Sequence, residues 1–102
     1  MATLKAIEVP FKVMKLAGEA MELPEKMAEI GNPNSASDAA VGALCLRTAV
    51  SGAYMNVRIN AAELSDSASV VETLRQAEQI EKEVNWRCEQ IQKQVLLKIS
   101  TK

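Results

Sequence analysis

The sequence predicts an all-α fold of long antiparallel helices. Apolar residues recur at intervals of three and four along most of the 102 residues, the spacing that places them on one face of a helix. Aromatic residues make up only 3% of the chain, so small aliphatic side chains must fill the core, and these suit close helix packing better than a β-sandwich. Breaks at residues 31–35 and before residue 69 divide the chain into three helical segments.

The first segment covers residues 3–30 and predicts a bent helix. Its apolar positions keep helical spacing: Leu4, Ile7, Phe11, Met14, Ala17 and Met21. Pro10 and Pro24 interrupt this pattern, and each is expected to kink the helix or to begin a new one. We therefore expect a break near Leu23.

The second segment, residues 36–61, predicts a helix that is apolar on nearly every side. Gly31 fits the C′ position of the preceding helix, and Ser35 with Asp38 resembles a capping box. Between Ala39 and Met55 the only charged residue is Arg47. Such a helix is expected to be buried on nearly all sides.

The third segment, residues 69–99, predicts an amphipathic helix that begins with a capping box of Ser69 and Glu72. One apolar stripe runs along it, through Leu74, Ala77, Val84, Cys88, Ile91 and Val95. The flanking helices each offer one apolar face, and two such faces cannot enclose the central helix. The chain is therefore predicted to be a half-bundle that needs a second copy or a partner to complete its core.

Composition and charge argue against several classes of function. A net charge of −1 provides no basic excess to neutralise phosphates, so we expect no nucleic-acid partner. No signal peptide is visible, and the longest apolar run, residues 39–46, is too short to span a bilayer, so we expect a cytoplasmic protein with no membrane partner.

The chain has no histidine, which removes the commonest general base and metal ligand, and we expect no metal site. Cys45 and Cys88 are expected to be buried small side chains.

Three segments of the sequence together form a specific pattern. Residues 31–38 (GNPNSASD) are followed by Gly-Ala at 42–43 and by residues 52–60 (GAYMNVRIN), while residues 6–10 (AIEVP) precede them. From about residue 6 to residue 64, the chain resembles the formiminotetrahydrofolate cyclodeaminase and methenyltetrahydrofolate cyclohydrolase family. Beyond residue 64 only a charged amphipathic helix is shared.

The resemblance implies a dimeric all-helical domain that binds a reduced folate between its helices. Members of the family close formiminotetrahydrofolate to the methenyl form with release of ammonia, or interconvert the methenyl and 10-formyl forms. The substrate is a tetrahydrofolate derivative, and no further cofactor is implied. Residues 1–102 correspond to the C-terminal half of such a domain, and the first half carries the glycine-rich turn and the catalytic acid. We therefore expect no catalytic residue here and no activity from the chain alone.

Six polar residues within the resemblance are predicted to bind folate: Asn32, Asn34, Ser37, Asp38, Asn56 and Asn60. Turn and capping chemistry is an alternative explanation for the first two asparagines, and the helix dipole is an alternative for Asp38. Asp38 and Asn56 share a helix face but stand about 27 Å apart along a straight helix. They are therefore expected to serve opposite ends of a site, or two sites across a dimer.

The sequence leaves the partner and the wider role open. The missing helices can come from a second copy, which makes the protein a homo-oligomer, or from a complementary first-half polypeptide. The alternative function is a non-enzymatic assembly module that oligomerises through helix 36–61. Such a module has no need of Asp38, Asn56 and Asn60 near an apolar interface, and this distinguishes the two hypotheses.

Overall fold

The computed structural model describes residues 3–100, which form four helices and contain no strand. The helices are α1 (Leu4–Ala20), α2 (Glu22–Ile30), α3 (Pro33–Ala62) and α4 (Ala68–Ser100). The prediction of an all-α fold is confirmed. The three predicted segments are also present, the first of them divided into α1 and α2.

The helices lie side by side in a rod of 55 × 16 × 16 Å. Side-chain hydrogen bonds show the directions: Asn60 near the end of α3 reaches Ala6 near the start of α1, and Gln92 of α4 reaches Ala40 of α3. Both pairs join the late part of one helix to the early part of the other, so α3 runs antiparallel to α1 and to α4. The pair α1–α2 acts as one bent rod beside α3.

Pro24 lies in the first turn of a new helix, as predicted, and the break falls at Met21, two residues before the expected position at Leu23. Pro10 does not begin a new helix: it lies inside α1, which continues through it. Pro24 is the third residue of α2, where its missing N–H has no intrahelical partner in any case. The break therefore precedes Pro24 by nearly one turn, because a helix accepts proline in its first turn.

Both predicted capping boxes are wrong. The side chain of Asn32 caps α3 by accepting a hydrogen bond of 2.9 Å from the N–H of Ser35, and Pro33 takes the first helical position. In α4 the hydroxyl of Ser67 accepts from the N–H of Val70 at 3.4 Å, so Ser69 already lies within the helix. Both α3 and α4 therefore begin earlier than expected, directly after the first residue whose side chain can reach a free N–H group.

Gly31 ends α2 as its C-cap rather than at the C′ position, and its φ of −76° is open to any residue. Its role is steric. A Cβ at this position would lie 2.5 Å from the carbonyl oxygen of Met27 and 2.9 Å from the Cβ of Ser35. The turn between α2 and α3 is tight enough that only glycine fits without movement of the backbone.

The core lies where one face each of α1, α3 and α4 meet. The predicted stripe of α4 is confirmed, since Ala77, Val84, Cys88, Ile91 and Val95 are buried and Leu74 is half-buried against them. Met14 and Met21 fill the α1–α2 side of the core. The prediction for Cys45 is wrong: its side chain is exposed, because it lies on the face of α3 that this chain leaves uncovered.

Side chains of α4 bind backbone carbonyls and one carboxylate on the other helices. Arg87 donates to the carbonyl of Gly18 and to both carboxylate oxygens of Glu25. The hydrogen bonds from Arg87 lower the pKa of Glu25 below its ordinary value of 4.5, and the opposing effect of burial is smaller. Lys98 donates to the carbonyls of Glu29 and Gly31 at 2.9 and 2.8 Å. These contacts hold the α1–α2 break and the α2–α3 turn against α4.

Candidate functional site

A groove of about 760 Å³ runs between the first half of α1 and the second half of α3. It is lined by Thr3, Lys5, Ala6, Val9, Pro10 and Val13 on one side and by Ala49, Ala53, Asn56 and Asn60 on the other. The groove forms where α3 carries small side chains, Ala49 and Ala53, opposite α1, because such side chains leave space between the two helices. Its walls are apolar, and the two asparagines supply amide groups at one end.

Asn56 and Asn60 come together in this groove, as their spacing of four residues on one helix predicts. The amide nitrogen of Asn60 donates to the backbone carbonyl of Asn56 at 2.8 Å and lies 3.5 Å from the carbonyl oxygen of Ala6 across the groove. Asn60 is thereby oriented by its own helix and by α1. The side chain of Asn56 is exposed to the groove, where its amide offers both a donor and an acceptor to a ligand.

The other four predicted residues lie at the opposite end of α3. Asn32 is used as the helix cap, and Asn34, Ser37 and Asp38 are exposed on the first turns of the helix. None of the four lines the groove. Asp38 and Asn56 are eighteen residues apart on one continuous helix, which places them about 27 Å apart along its axis. The structure thus brings Asn56 and Asn60 into one site and leaves Asp38 far from it.

The α1 side of the groove was missed by the sequence prediction. Ala6 and Pro10 line the site, together with Lys5, which is the titratable group among the lining residues. A signal was present in the sequence, because a proline within a helical pattern frees the carbonyl four residues earlier. Only the packing of α1 on α3 places this carbonyl opposite an asparagine.

A second feature borders the groove, on the outer face of α3. Apolar side chains there are exposed: Val41 by 58%, Leu44 by 43%, Met55 by 65% and Ile59 by 69%. The prediction that this helix is buried on nearly all sides is therefore not met within the chain. On α1, Val9 and Val13 are also exposed, and both line the groove. The groove thus opens onto a broad apolar surface, which we call the open α3 face (Val41, Leu44, Cys45, Gly52, Met55 and Ile59).

Comparison with known proteins defines the family. A family model described as formiminotransferase-cyclodeaminase matches residues 1–79. The chain belongs to this family. The formimidoyltransferase-cyclodeaminase of Dictyostelium discoideum is 37% identical over 79 residues, which are 78% of this chain and 15% of that protein. The methenyltetrahydrofolate cyclohydrolase of Methylorubrum extorquens is 34% identical over 95 residues, which are 93% of this chain and 46% of that protein.

The match to the formiminotransferase-cyclodeaminase family confirms the resemblance found in the sequence. The chain spans less than half the length of either relative. No solved structure gives a significant match. Within residues 3–100, no helix combines the length and the apolar character needed to cross a membrane.

Proposed function

We propose that the chain forms the pterin-binding half of a folate-processing domain of the cyclodeaminase and cyclohydrolase type. The observation that carries the proposal is the α1–α3 groove, in which Asn56 and Asn60 stand at one end of an apolar slot of about 760 Å³. A flat, partly polar ring needs apolar walls for its faces and amide groups for its edge, and ligand sites commonly combine these two features. The groove supplies both.

The groove is suited to binding rather than to proton transfer. Cyclodeamination and hydrolysis of a methenyl bridge both require a group that accepts or donates a proton. Of the residues that line the groove, Lys5 is the titratable one, and its side chain is exposed. We therefore propose that the catalytic acid or base comes from outside this chain, and that the chain alone binds folate without converting it.

A partner would complete the site. The open α3 face adjoins the groove, so helices packed on it would also cover the groove and exclude water from a bound ring. We propose a second copy of the chain or a complementary first-half polypeptide as the source of those helices, in the cytoplasm. The tetrahydrofolate derivative serves as substrate and no other cofactor is required.

Folate binding by the purified chain tests the proposal directly. Folic acid titrated into the chain is expected to bind, and Asn56→Leu is expected to weaken binding at least about tenfold, since one hydrogen bond to a ligand commonly contributes this much. Asn34→Leu makes the same substitution at an exposed position outside the groove and is expected to have no effect. A chain that does not bind folic acid, or equal losses in both variants, would overturn the proposal.

The catalytic part of the proposal needs a separate measurement. The absorbance of methenyltetrahydrofolate is followed with the purified chain and with Asp38→Ala, after subtraction of the buffer-catalysed rate. We expect no acceleration from either protein. Acceleration that depends on Asp38 would contradict the proposal, because the chain would then contain its own catalytic acid.

A non-enzymatic assembly module is the second candidate function, and the open α3 face favours it. Exposed side chains such as Val41 and Met55 along one helix are typical of a surface that packs against another helix. The two functions differ in the groove. An assembly module would associate through α3 and would bind no folate. The substitution Asn56→Leu would then leave its association unchanged.

A further inference from the structure

Pro10 leaves one backbone carbonyl of α1 without its usual helical donor. In an α-helix each N–H donates to the carbonyl four residues earlier, and proline has no N–H. The carbonyl concerned is that of Ala6, and α1 still runs without a break from Leu4 to Ala20. The Ala6 oxygen is therefore an acceptor that lacks the donor which any other residue at position 10 would supply.

This carbonyl lies in the groove. Ala6 and Pro10 both line it, opposite Asn56 and Asn60. The amide nitrogen of Asn60 is 3.5 Å from the Ala6 oxygen but only 2.8 Å from the Asn56 carbonyl, so its stronger hydrogen bond stays within α3. A carbonyl oxygen accepts two hydrogen bonds. The Ala6 oxygen thus keeps the capacity to accept a hydrogen from a ligand.

We propose that the Ala6 carbonyl, freed by Pro10, is the acceptor that selects an amino group on a ring bound in the groove. The inference rests on the proposed folate function and names the part of the ligand that the site recognises. A ring amino group carries two hydrogens, one for the Ala6 oxygen and one for an asparagine side-chain oxygen. The NH2 group of Asn56 can then donate to a neighbouring ring carbonyl, as in a 2-amino-4-oxopteridine.

The same geometry disfavours a ring that carries oxygen in place of the amino group. A ring carbonyl at that position would face the Ala6 oxygen, so two acceptors would meet and neither would gain a hydrogen. An unpaired polar group in a partly enclosed site weakens binding more than a missing contact on an open surface. The groove is therefore selective through a backbone acceptor that holds only the long 3.5 Å hydrogen bond from Asn60, and a partner helix cannot mask this acceptor unless it brings a donor of its own.

Two pteridines that differ in this one group test the proposal on the unaltered chain. Pterin has the 2-amino group and lumazine has a 2-oxo group, and both are fluorescent, so each can be titrated directly. We expect pterin to bind about five- to tenfold more tightly than lumazine, the effect of one net hydrogen bond. Equal affinities would overturn the proposal without the use of any variant.

Pro10→Ala links the preference to the Ala6 carbonyl. Alanine supplies an N–H that closes the helical hydrogen bond to Ala6 and makes α1 a better helix, so the variant is expected to unfold at a higher temperature. Its preference for pterin over lumazine is expected to fall to about one- to twofold, because the acceptor is now occupied. Val13→Ala is the matched control: it removes part of the groove wall, so it weakens both ligands alike and leaves their ratio unchanged.

The outcomes separate this inference from the proposed function. A Pro10→Ala variant that keeps the full preference for pterin overturns the role of the Ala6 carbonyl, even if folic acid still binds. Folic acid binding without any preference between the two pteridines has the same meaning. If folic acid does not bind the unaltered chain, the proposed function fails, and the inference fails with it.

Discussion

Arg87 in α4 holds the carboxylate of Glu25 in α2 through two parallel hydrogen bonds, of which the one from Nε is 2.7 Å long. The same guanidinium donates to the carbonyl of Gly18, near the end of α1, at 3.0 Å. One side chain thus joins both sides of the break at Met21 to the long helix beside them. The Arg87 side chain is only 19% exposed, so these hydrogen bonds are shielded from solvent to a large extent.

Removal of this arginine is expected to destabilise the fold. Arg87→Met keeps the aliphatic stem but leaves Glu25 and the Gly18 carbonyl without their donor, and we expect a loss of about 2 kcal/mol in the free energy of unfolding. Arg75→Met is the control, because Arg75 pairs with Glu72 on the surface of one helix and should matter little. Urea unfolding at pH 7 measures both. A similar small effect in the two variants would show that the contact with Glu25 does not stabilise the fold.

The same pair predicts a loss of stability in acid. Arg87 lowers the pKa of Glu25 in the folded chain from its ordinary value of 4.5. The unfolded state therefore binds the proton more readily, so the contribution of Glu25 is complete above pH 4.5 and disappears as the pH falls through the lower folded-state pKa. Urea unfolding of the unaltered chain and of Glu25→Gln between pH 7 and pH 3 should show a difference in stability that shrinks below pH 4.5. A constant difference would contradict this mechanism.

Two glycines are expected to respond in opposite ways to alanine. Gly31→Ala would place its Cβ 2.5 Å from the Met27 carbonyl oxygen, and we expect a loss of about 1–3 kcal/mol, the usual range for overpacking. At Gly18 the nearest atoms to an added Cβ are 3.7 and 3.9 Å away, so Gly18→Ala should gain up to about 1 kcal/mol from helix propensity. Thermal unfolding compares them. Equal effects would mean that the α2–α3 turn can relax.

The open α3 face is expected to carry the contact between this chain and its partner. Ile59 is 69% exposed, so Ile59→Glu should leave the fold of the chain intact but abolish its self-association, or its binding to a first-half polypeptide. Val71→Glu places the same charge on α4, at a residue that is 55% exposed, and should change neither. Sedimentation velocity distinguishes the two variants. Unchanged association in Ile59→Glu would place the interface elsewhere.

Helix ends show where sequence reasoning stops. Ser35 and Ser69 each begin a good capping pattern, yet Asn32 and Ser67 cap the helices instead. The local pattern allows several starts within one turn, and the choice among them depends on where the chain leaves the preceding element. Pro33 favours the earlier start of α3, because its fixed φ suits the first helical position.

Pro10 is the clearest case in which packing overrides a local rule. The sequence predicts a kink or a new helix at Pro10, and no new helix begins there: α1 runs through the proline, with Asn60 near the carbonyl that it frees. The two residues are fifty positions apart, so no local pattern connects them. The same contact places Ala6, Pro10 and Asn60 in one groove, which explains why the α1 half of the site was not predicted.

The amino-acid sequence by itself determined that the chain is helical, that one stripe of α4 is buried, and that the chain belongs to the formiminotransferase-cyclodeaminase family. These properties follow from the local period of apolar residues and from short motifs. Only the tertiary structure decided which polar groups meet: Asn60 reaches the Ala6 carbonyl, Asn56 lines the same groove, and Asp38 lies outside it. It also decided that one face of α3 stays uncovered. The burial of a helix face depends on the helices packed beside it, and the sequence of α3 does not determine how many of these there are.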